Sequence, residues 1–306
     1  MIRSVLRLIR LPNLLIIIAA QFLVRYCLIL PAYKISFNYT GVFPDHLSRV
    51  QFSLLLFSTL CIAIGGYIMN DYYDIRTDHY NKPGKNVIGN LISEKTAYFL
   101  SLVLYLIGCL IGFEIAIQIH HPKMGMVQVF SAVSLYMYSA YYQKKVLSGN
   151  FLIAFLSALS LLIVGLFEPD FYPNFIYLLW FAAFAFSVTL LRELLKDIED
   201  FDGDEKSQYR TFPIRYGIKK AKQLGLYLVA FNLLLLFGIL YSGFYENAVI
   251  NFWYLLSIFG IPFLALGYMI SNAEEKKDFT YASLFAKFIM VAGIFSIVGF
   301  WYYFLR

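Results

Sequence analysis

Long uncharged stretches decide what this chain can fold into. "LLIIIAAQFLVRYCLIL" at 14–30 carries one charge, and "QFSLLLFSTLCIAIGGYIM" at 51–69 carries none. Apolar runs of roughly 18 residues or more can cross a bilayer as helix. Nine spans are expected, at 14–30, 52–69, 97–119, 126–142, 150–167, 174–191, 223–242, 251–270 and 282–304. The expected fold class is therefore all-α: a polytopic membrane helical bundle of about nine transmembrane helices around a central cavity. Pro31, Pro122, Pro169 and Pro173 are expected at helix ends, because proline breaks the backbone ladder. The basic-then-apolar start, "MIRSVLRLIRLPN", is followed by no small-residue cleavage site, so a retained first helix is expected. Residues 1–306 are expected to form a single integral-membrane domain.

Only 14% of the residues are charged, against roughly a quarter in a soluble domain. The net charge of +6 calls for no nucleic-acid partner, because Lys and Arg gather in membrane-protein loops for topological reasons. With the N-terminus inside, 20 basic residues fall on the inner side and five (Arg25, Lys34, Arg49, Lys123 and Arg306) on the other. That asymmetry orients the chain with its N-terminus cytoplasmic and its C-terminus opposite, in the cell's inner or plasma membrane. Cys27, Cys61 and Cys109 are far apart and have no metal-type spacing, so they are read as small apolar residues.

Two acidic strings interrupt this apolar chain, each closing a span that runs inward. "NDYYDIRTD" carries Asp71, Asp74 and Asp78; "KDIEDFDGD" carries Asp197, Asp200 and Asp204. Both use offsets of +3 and +7, which share one face of a helix. A solvated loop has no reason to repeat that spacing at the same end of two spans. The pairing suggests an internal repeat with two carboxylate faces around one cavity on the cytoplasmic side. Clustered carboxylates repel unless neutralised. Mg²⁺ does so through one or two carboxylates plus waters and substrate phosphate oxygens. Arg76, Lys82, Lys85, Lys144, Lys145, Lys196 and Arg210 supply bases for phosphate, although scattered lysines also follow from the positive-inside bias. Acids and bases beside a deep apolar chamber fit a lipid diphosphate, with metal on the head and helices on the tail.

On these motifs the chain resembles the UbiA-type membrane prenyltransferases. Asn70 to Asp78 reads as that family's first motif, and "NKPGKNVIGNLIS" is similar to its continuation, ending in Gly89, Ile92 and Ser93. Lys196 to Asp204 resembles the second motif, with Asp202 one position before Gly203. "TFPIRYG" matches a tail at Thr211, Pro213 and Gly217, "KKVLSGN" ends in Gly149-Asn150, and "RLPN" resembles the entry to helix 1. Asn86 departs from the pattern, where many members have Pro.

The resemblance implies nine helices and transfer of a prenyl group from an allylic polyprenyl diphosphate, with Mg²⁺ as cofactor. It places Asn70, Asp71, Asp74, Asp78, Asp197, Asp200 and Asp204 at the metal and catalytic site. Arg76, Lys82, Lys85, Lys145, Lys196 and Arg210 become diphosphate ligands, and Asn13 lies near the acceptor pocket. Tyr72, Tyr73, Tyr138, Tyr141 and Tyr142 could shelter an allylic cation, or sit at the bilayer interface for their amphipathic rings. The closest branch is that of geranylgeranylglycerol-phosphate geranylgeranyltransferases, which form an ether on a lipid alcohol. Prenylation of an aromatic quinone precursor (4-hydroxybenzoate or dihydroxynaphthoate type) is the alternative acceptor chemistry. A secondary transporter is the non-enzyme alternative, but transporter acids sit near the bilayer midplane rather than at its mouth. Arg25 is expected to snorkel from a span end or to serve function, and Glu114 likewise. Arg192 and Glu193 are expected to line the site or to pair with each other.

Overall fold

A computed structural model describes residues 2–41, 46–75, 87–168, 175–241, 253 and 256–302. Its elements are α1 (Ile2–Leu8), α2 (Leu11–Leu23), a π turn (Val24–Ile29), α3 (Leu30–Thr40), α4 (Arg49–Tyr73), α5 (Glu94–Gln118), α6 (Gly125–Ala140), α7 (Ser148–Leu166), α8 (Phe175–Glu199), α9 (Phe201–Lys206), α10 (Phe212–Tyr216), α11 (Ile218–Tyr241), a second π turn (Leu256–Gly260), α12 (Ile261–Asn272) and α13 (Lys276–Phe300). Among the described residues there is no strand, only an isolated bridge between Ile88 and Ile92. Among the described residues, seven helical segments are long and apolar enough to cross a membrane. The segment expected at 126–142 is helical but shorter, as α6 (16 residues), and the one expected at 251–270 is helical over its described part, Leu256–Asn272. The protein is a polytopic membrane protein.

Pro31 does not end the first span. The helix continues through it to Thr40, with the π turn Val24–Ile29 immediately before. Proline at 31 removes the N–H that would reach the carbonyl of Cys27, and its ring crowds that carbonyl. A wider turn relieves both, and the Leu30 N–H bonds instead to Arg25 O, five residues back. The same device recurs at Pro262, behind the π turn Leu256–Gly260. Pro122 behaves as expected, opening a short 3₁₀ turn between α5 and α6. Pro169 and Pro173 lie outside the described residues.

The chain divides into two compact units: Met1–Gln143 with Leu159–Leu178 and Ile297–Arg306, and Lys144–Ala158 with Leu179–Ser296. In the first unit α4 and α5 approach through small residues. Ser58 Oγ donates to Gly108 O at 2.6 Å, and Ser101 Oγ donates to Gly65 O at 2.7 Å. A Cβ on Gly108 would lie 2.5 Å from Ile62 Cγ1 and 2.9 Å from Ser58 O, so only glycine allows this contact. Inside a bilayer, where apolar burial between helices gains little, close backbone approach and hydroxyl bonds are what hold helices together. The second unit is built on Leu191, Leu194, Leu195, Phe263, Leu266 and Ile289, all fully buried. Asn232 Nδ2 donates to Ser187 Oγ at 2.8 Å within it, and Thr189 Oγ1 to Ser157 Oγ at 3.0 Å. Outward-facing Phe99, Leu106, Leu110, Tyr268 and Leu284 are exposed, as lipid-facing side chains should be.

Arg25 does not snorkel. It lies in the first π turn with 2% of its side chain exposed, and Glu168, equally buried, is its partner. Its guanidinium donates to Glu168 Oε1 and to the carbonyl of Leu47, while Leu47 N donates to Glu168 Oε2 at 2.8 Å. The Phe52 ring centre lies 4.7 Å from the guanidinium carbon. Burial pushes the Glu168 carboxyl above the usual carboxylate range, and Arg25 and the Leu47 N–H pull it back. A charge so enclosed is kept by its partners and has no path to solvent. Glu114, in contrast, is exposed and accepts from Gln118 Nε2 at 2.9 Å.

Candidate active site

In the first unit, α4 runs out at Tyr73. Asn70 and Asp71 ride its last turn, and Asp74 caps it with φ −91° and ψ 2°. The Asp74 N–H bonds to Asn70 O at 2.9 Å, and Asn70 Nδ2 donates to Asp74 Oδ2. Gln143, just beyond α6, donates from Nε2 to Asp74 Oδ1 at 2.9 Å and to Oδ2 at 2.7 Å. Asp74 is buried. Asp71 takes another partner: Arg10 Nη2, 2.9 Å from Oδ1, with both side chains part exposed. Arg10 joins α1 to α2 in the left-handed region, φ 50°, and its guanidinium carbon lies 5.0 Å from the centre of the Tyr67 ring. Asn13 sits in the first turn of α2, its N–H bonded to Arg10 O at 2.8 Å. Arg76, Asp78, Lys82 and Lys85 lie outside the described residues.

The continuation of this motif has a local physical reason. Gly89 takes φ +88°, where a side chain would be strained, and its N–H bonds to Ile92 O at 2.8 Å. Ser93 then caps α5, accepting the Thr96 N–H at 3.1 Å. The turn seats Val87 and Ile88 in a cluster with Leu8, Ile68 and Ala97.

In the second unit, α8 carries Lys196 and Asp197 in its last turn and stops at Glu199. Asp200 stands between α8 and α9 with φ −90° and ψ 8°, and its N–H bonds to Lys196 O at 2.8 Å. Asp204 is buried in α9. Asn150, buried near the start of α7, donates from Nδ2 to Asp197 Oδ2 at 2.8 Å. Arg192 Nη1 pairs with Glu193 Oε1 at 2.6 Å, and Lys196 Nζ lies 3.5 Å from Glu193 Oε2. The loop after α9 returns to the connection before α7: Arg210 N donates to Lys144 O at 2.9 Å, and Lys144 Nζ lies 5.4 Å from the Tyr209 ring centre. Arg210 is exposed and Lys145 is half-buried.

Neither motif stays on one straight helical face, as the +3 and +7 offsets had suggested. Both break at the middle aspartate, and both breaks use the same backbone conformation, in the sparsely allowed bridge region. The repeat in the sequence is thus also a repeat in backbone shape. Of the tyrosines expected near the first motif, Tyr72 and Tyr73 are joined by two that sequence reasoning missed. Ring centres lie 5.4 Å apart for Tyr72 and Tyr98, and 6.5 Å for Tyr73 and Tyr136. Tyr141 and Tyr142 meet edge to face at 5.4 Å. Gln143 was also missed. Its one signal was an amide beside the Lys144–Lys145 pair, at the end of an apolar run.

Among the described residues, no three carboxylate, imidazole or thiolate groups form a ready-made metal cluster. The donors around the motifs are nevertheless hard oxygens of Asp and Asn. Gln143 Oε1 is buried without a hydrogen-bond partner. That chemistry fits a cation such as Mg²⁺, which takes few protein ligands and fills its shell from water and phosphate.

Several known proteins are similar to this chain. A digeranylgeranylglyceryl phosphate synthase from Methanosphaera stadtmanae is 31% identical over 247 residues, 79% of this chain and 86% of its own. One from Saccharolobus solfataricus is 31% identical over 240 residues, 78% of this chain and 79% of its own. Among solved structures, a digeranylgeranylglyceryl phosphate synthase superposes with a TM-score of 0.65 at 24% identity, covering 97% of both chains. A UbiA homolog from Archaeoglobus fulgidus bound to GPP and Mg²⁺ gives 0.57 at 16% identity, covering 97% of this chain and 99% of that one. The model of the UbiA prenyltransferase family matches residues 29–291. With that match over most of its length, the chain belongs to the UbiA prenyltransferase family.

Proposed function

We propose that this prenyltransferase moves a geranylgeranyl or similar group from its diphosphate to the free hydroxyl of a glycerol-phosphate lipid alcohol. The observation that carries the acceptor is the 31% identity, over 79% of this chain, to a relative named for that product. In the reaction the acceptor hydroxyl oxygen bonds to C1 of the prenyl chain, the C1–O bond to diphosphate breaks, and the hydroxyl proton leaves with the diphosphate. The products are an ether and diphosphate. Both units act as one catalytic domain over residues 1–306, with the N-terminus and both Asp-rich motifs at the cytoplasmic face. The excess of inward basic residues supports that orientation.

Asn70, Asp71, Asp74, Asp78, Asp197, Asp200 and Asp204 would hold Mg²⁺, some of them through water. Bound there, the cation would supply neutralisation of the charge that grows on the departing diphosphate. Lys82, Lys85, Lys145, Lys196, Arg210 and Arg76 donate to the phosphate oxygens. Lys196 must then exchange its contact with Glu193 for phosphate. Tyr72 and Tyr73 offer ring faces to positive charge developing on the allylic carbon. Asn13 lies toward the acceptor.

The test is purified protein in nanodiscs with geranylgeranyl diphosphate and Mg²⁺. It is offered geranylgeranylglyceryl phosphate, 4-hydroxybenzoate and dihydroxynaphthoate in parallel. An ether product from the first acceptor, lost with EDTA and in Asp74→Ala and Asp200→Ala, is expected. Prenylation of an aromatic acceptor alone would overturn the acceptor assignment. Full turnover in EDTA would overturn the metal assignment.

A further inference from the structure

We propose that Gln143 is a positioning residue for Asp74, fixing the plane of its carboxylate so that the first motif is preset for a cation. The proposal rests on the reading that this motif holds the metal. Gln143 lies beyond the end of α6, where Tyr141 already closes the helix with an N–H bond to Met137 O at 3.0 Å. Its amide is therefore not needed as a helix cap. It reaches instead to a residue 69 positions away in sequence, and one nitrogen spans both carboxylate oxygens at 2.9 and 2.7 Å.

That geometry has a specific consequence. A single donor placed between two oxygens resists rotation of the carboxylate about its last side-chain bond. Asn70, donating to Oδ2 from within the same helical turn, resists it from a second direction. Both donors are neutral. They orient Asp74 without cancelling its charge, which a Lys or Arg at position 143 would do. Asp71 is in the opposite situation, since its contact is the cation Arg10. Hydrogen-bond partners of metal-binding carboxylates typically change metal affinity by roughly 10–100-fold when removed.

The measurement is Mn²⁺ affinity, read by electron paramagnetic resonance on the purified full chain with an uncleavable geranylgeranyl thiolodiphosphate. Gln143→Met keeps length and removes the donor; Gln143→Ala is the second variant, and thermal unfolding without cation checks that each is folded. Both variants should weaken Mn²⁺ binding about 10–100-fold. The unfolding midpoint should stay near that of the wild type. Made in an Asp74→Ala background, Gln143→Met should add less than about a twofold further loss, because its effect runs through the missing carboxylate. Unchanged or tighter Mn²⁺ binding in Gln143→Met would overturn the proposal, and so would an equal loss with Asp74 already removed. A wild-type chain that binds no Mn²⁺ with the diphosphate analogue would instead overturn the reading of the site.

Discussion

Removing the carboxylate of Glu168 should destabilise the protein far more than its place at the end of an apolar run suggests. The group is fully buried, accepts from Arg25, and accepts from Leu47 N at 2.8 Å. In Glu168→Ala the Arg25 guanidinium, 2% exposed, keeps the Leu47 carbonyl and the Tyr26 and Phe52 rings but loses its counter-charge. An uncompensated buried charge of this kind costs about 3–5 kcal/mol. Unfolding entropy is ~2.1 cal/mol/K per residue, so 306 residues give ~0.64 kcal/mol/K. The midpoint should then fall by about 5–8 °C if the whole chain melts together, and by more if the first unit melts alone.

The assay is thermal unfolding in one fixed detergent, read as a half-life where unfolding is irreversible. Glu168→Gln should be milder, because an amide oxygen still accepts one of the two donors. Arg25→Met combined with Glu168→Leu should recover most of the loss, since well-packed apolar replacements of a buried ion pair are often neutral. Arg10 immediately precedes α2 and Arg25 lies in the π turn that continues it, 15 residues on and roughly 22 Å away at about 1.5 Å per residue. Glu168→Ala should therefore leave the Mn²⁺ affinity of the first motif unchanged. A Glu168→Ala midpoint within about 1 °C of wild type, or a double variant as unstable as the two single losses added, would refute the argument.

Two further outcomes follow from single contacts. Gly108→Leu should separate α4 from α5, because even a Cβ there meets Ile62 and the Ser58 carbonyl below 3.0 Å; overpacking of this kind costs about 1–3 kcal/mol, and a thermal midpoint equal to wild type would contradict it. Asn150→Ala removes the 2.8 Å bond to Asp197. A hydrogen bond to a charged group is worth about 1.5–3 kcal/mol, so kcat/KM should fall roughly 10–100-fold. Asn150→Asp should be worse still, through like-charge repulsion, and steady-state kinetics of the three proteins checks the order.

Hydropathy made the helices legible, because a bilayer admits few alternatives to helix for runs this apolar. It could not tell that Pro31 would be absorbed rather than obeyed. That outcome depends on the π turn Val24–Ile29 before it, and a proline in a sequence does not say whether the backbone widens around it or ends there. Arg25 was visible as a charge in an apolar run, yet its partners were not. Glu168 lies 143 positions away and Leu47 contributes only backbone atoms. Likewise the aspartates announced themselves by spacing, while Asn150 stood out only as the end of "KKVLSGN", with no partner indicated, and Gln143 not at all. An amide in a polar connection has many uses, and only the third dimension selects one. The helical face inferred from the +3 and +7 offsets was partly mistaken for the same reason: offsets assume an unbroken helix, and both motifs break at the middle residue.

The break itself carries information about how the repeat is used. Asp74 and Asp200 share backbone angles within a few degrees, and each closes a bond to the residue four before it, Asn70 or Lys196. The side chains around them then diverge. In the first motif the leading aspartate, Asp71, meets a cation, and the middle one is held by two amides. In the second the leading aspartate, Asp197, meets a neutral amide, while the nearby Lys196 leans toward Glu193. Asp197 also lies within electrostatic reach of Asp204 and Glu193, which repel it, and of Lys196, which attracts it. The backbone repeat thus supplies two equivalent turns, and different side chains surround them. On the proposed reading, a divalent cation bound at the second motif would relieve the repulsion that Asp204 and Glu193 exert on Asp197, so metal occupancy and stability of the second unit should rise together.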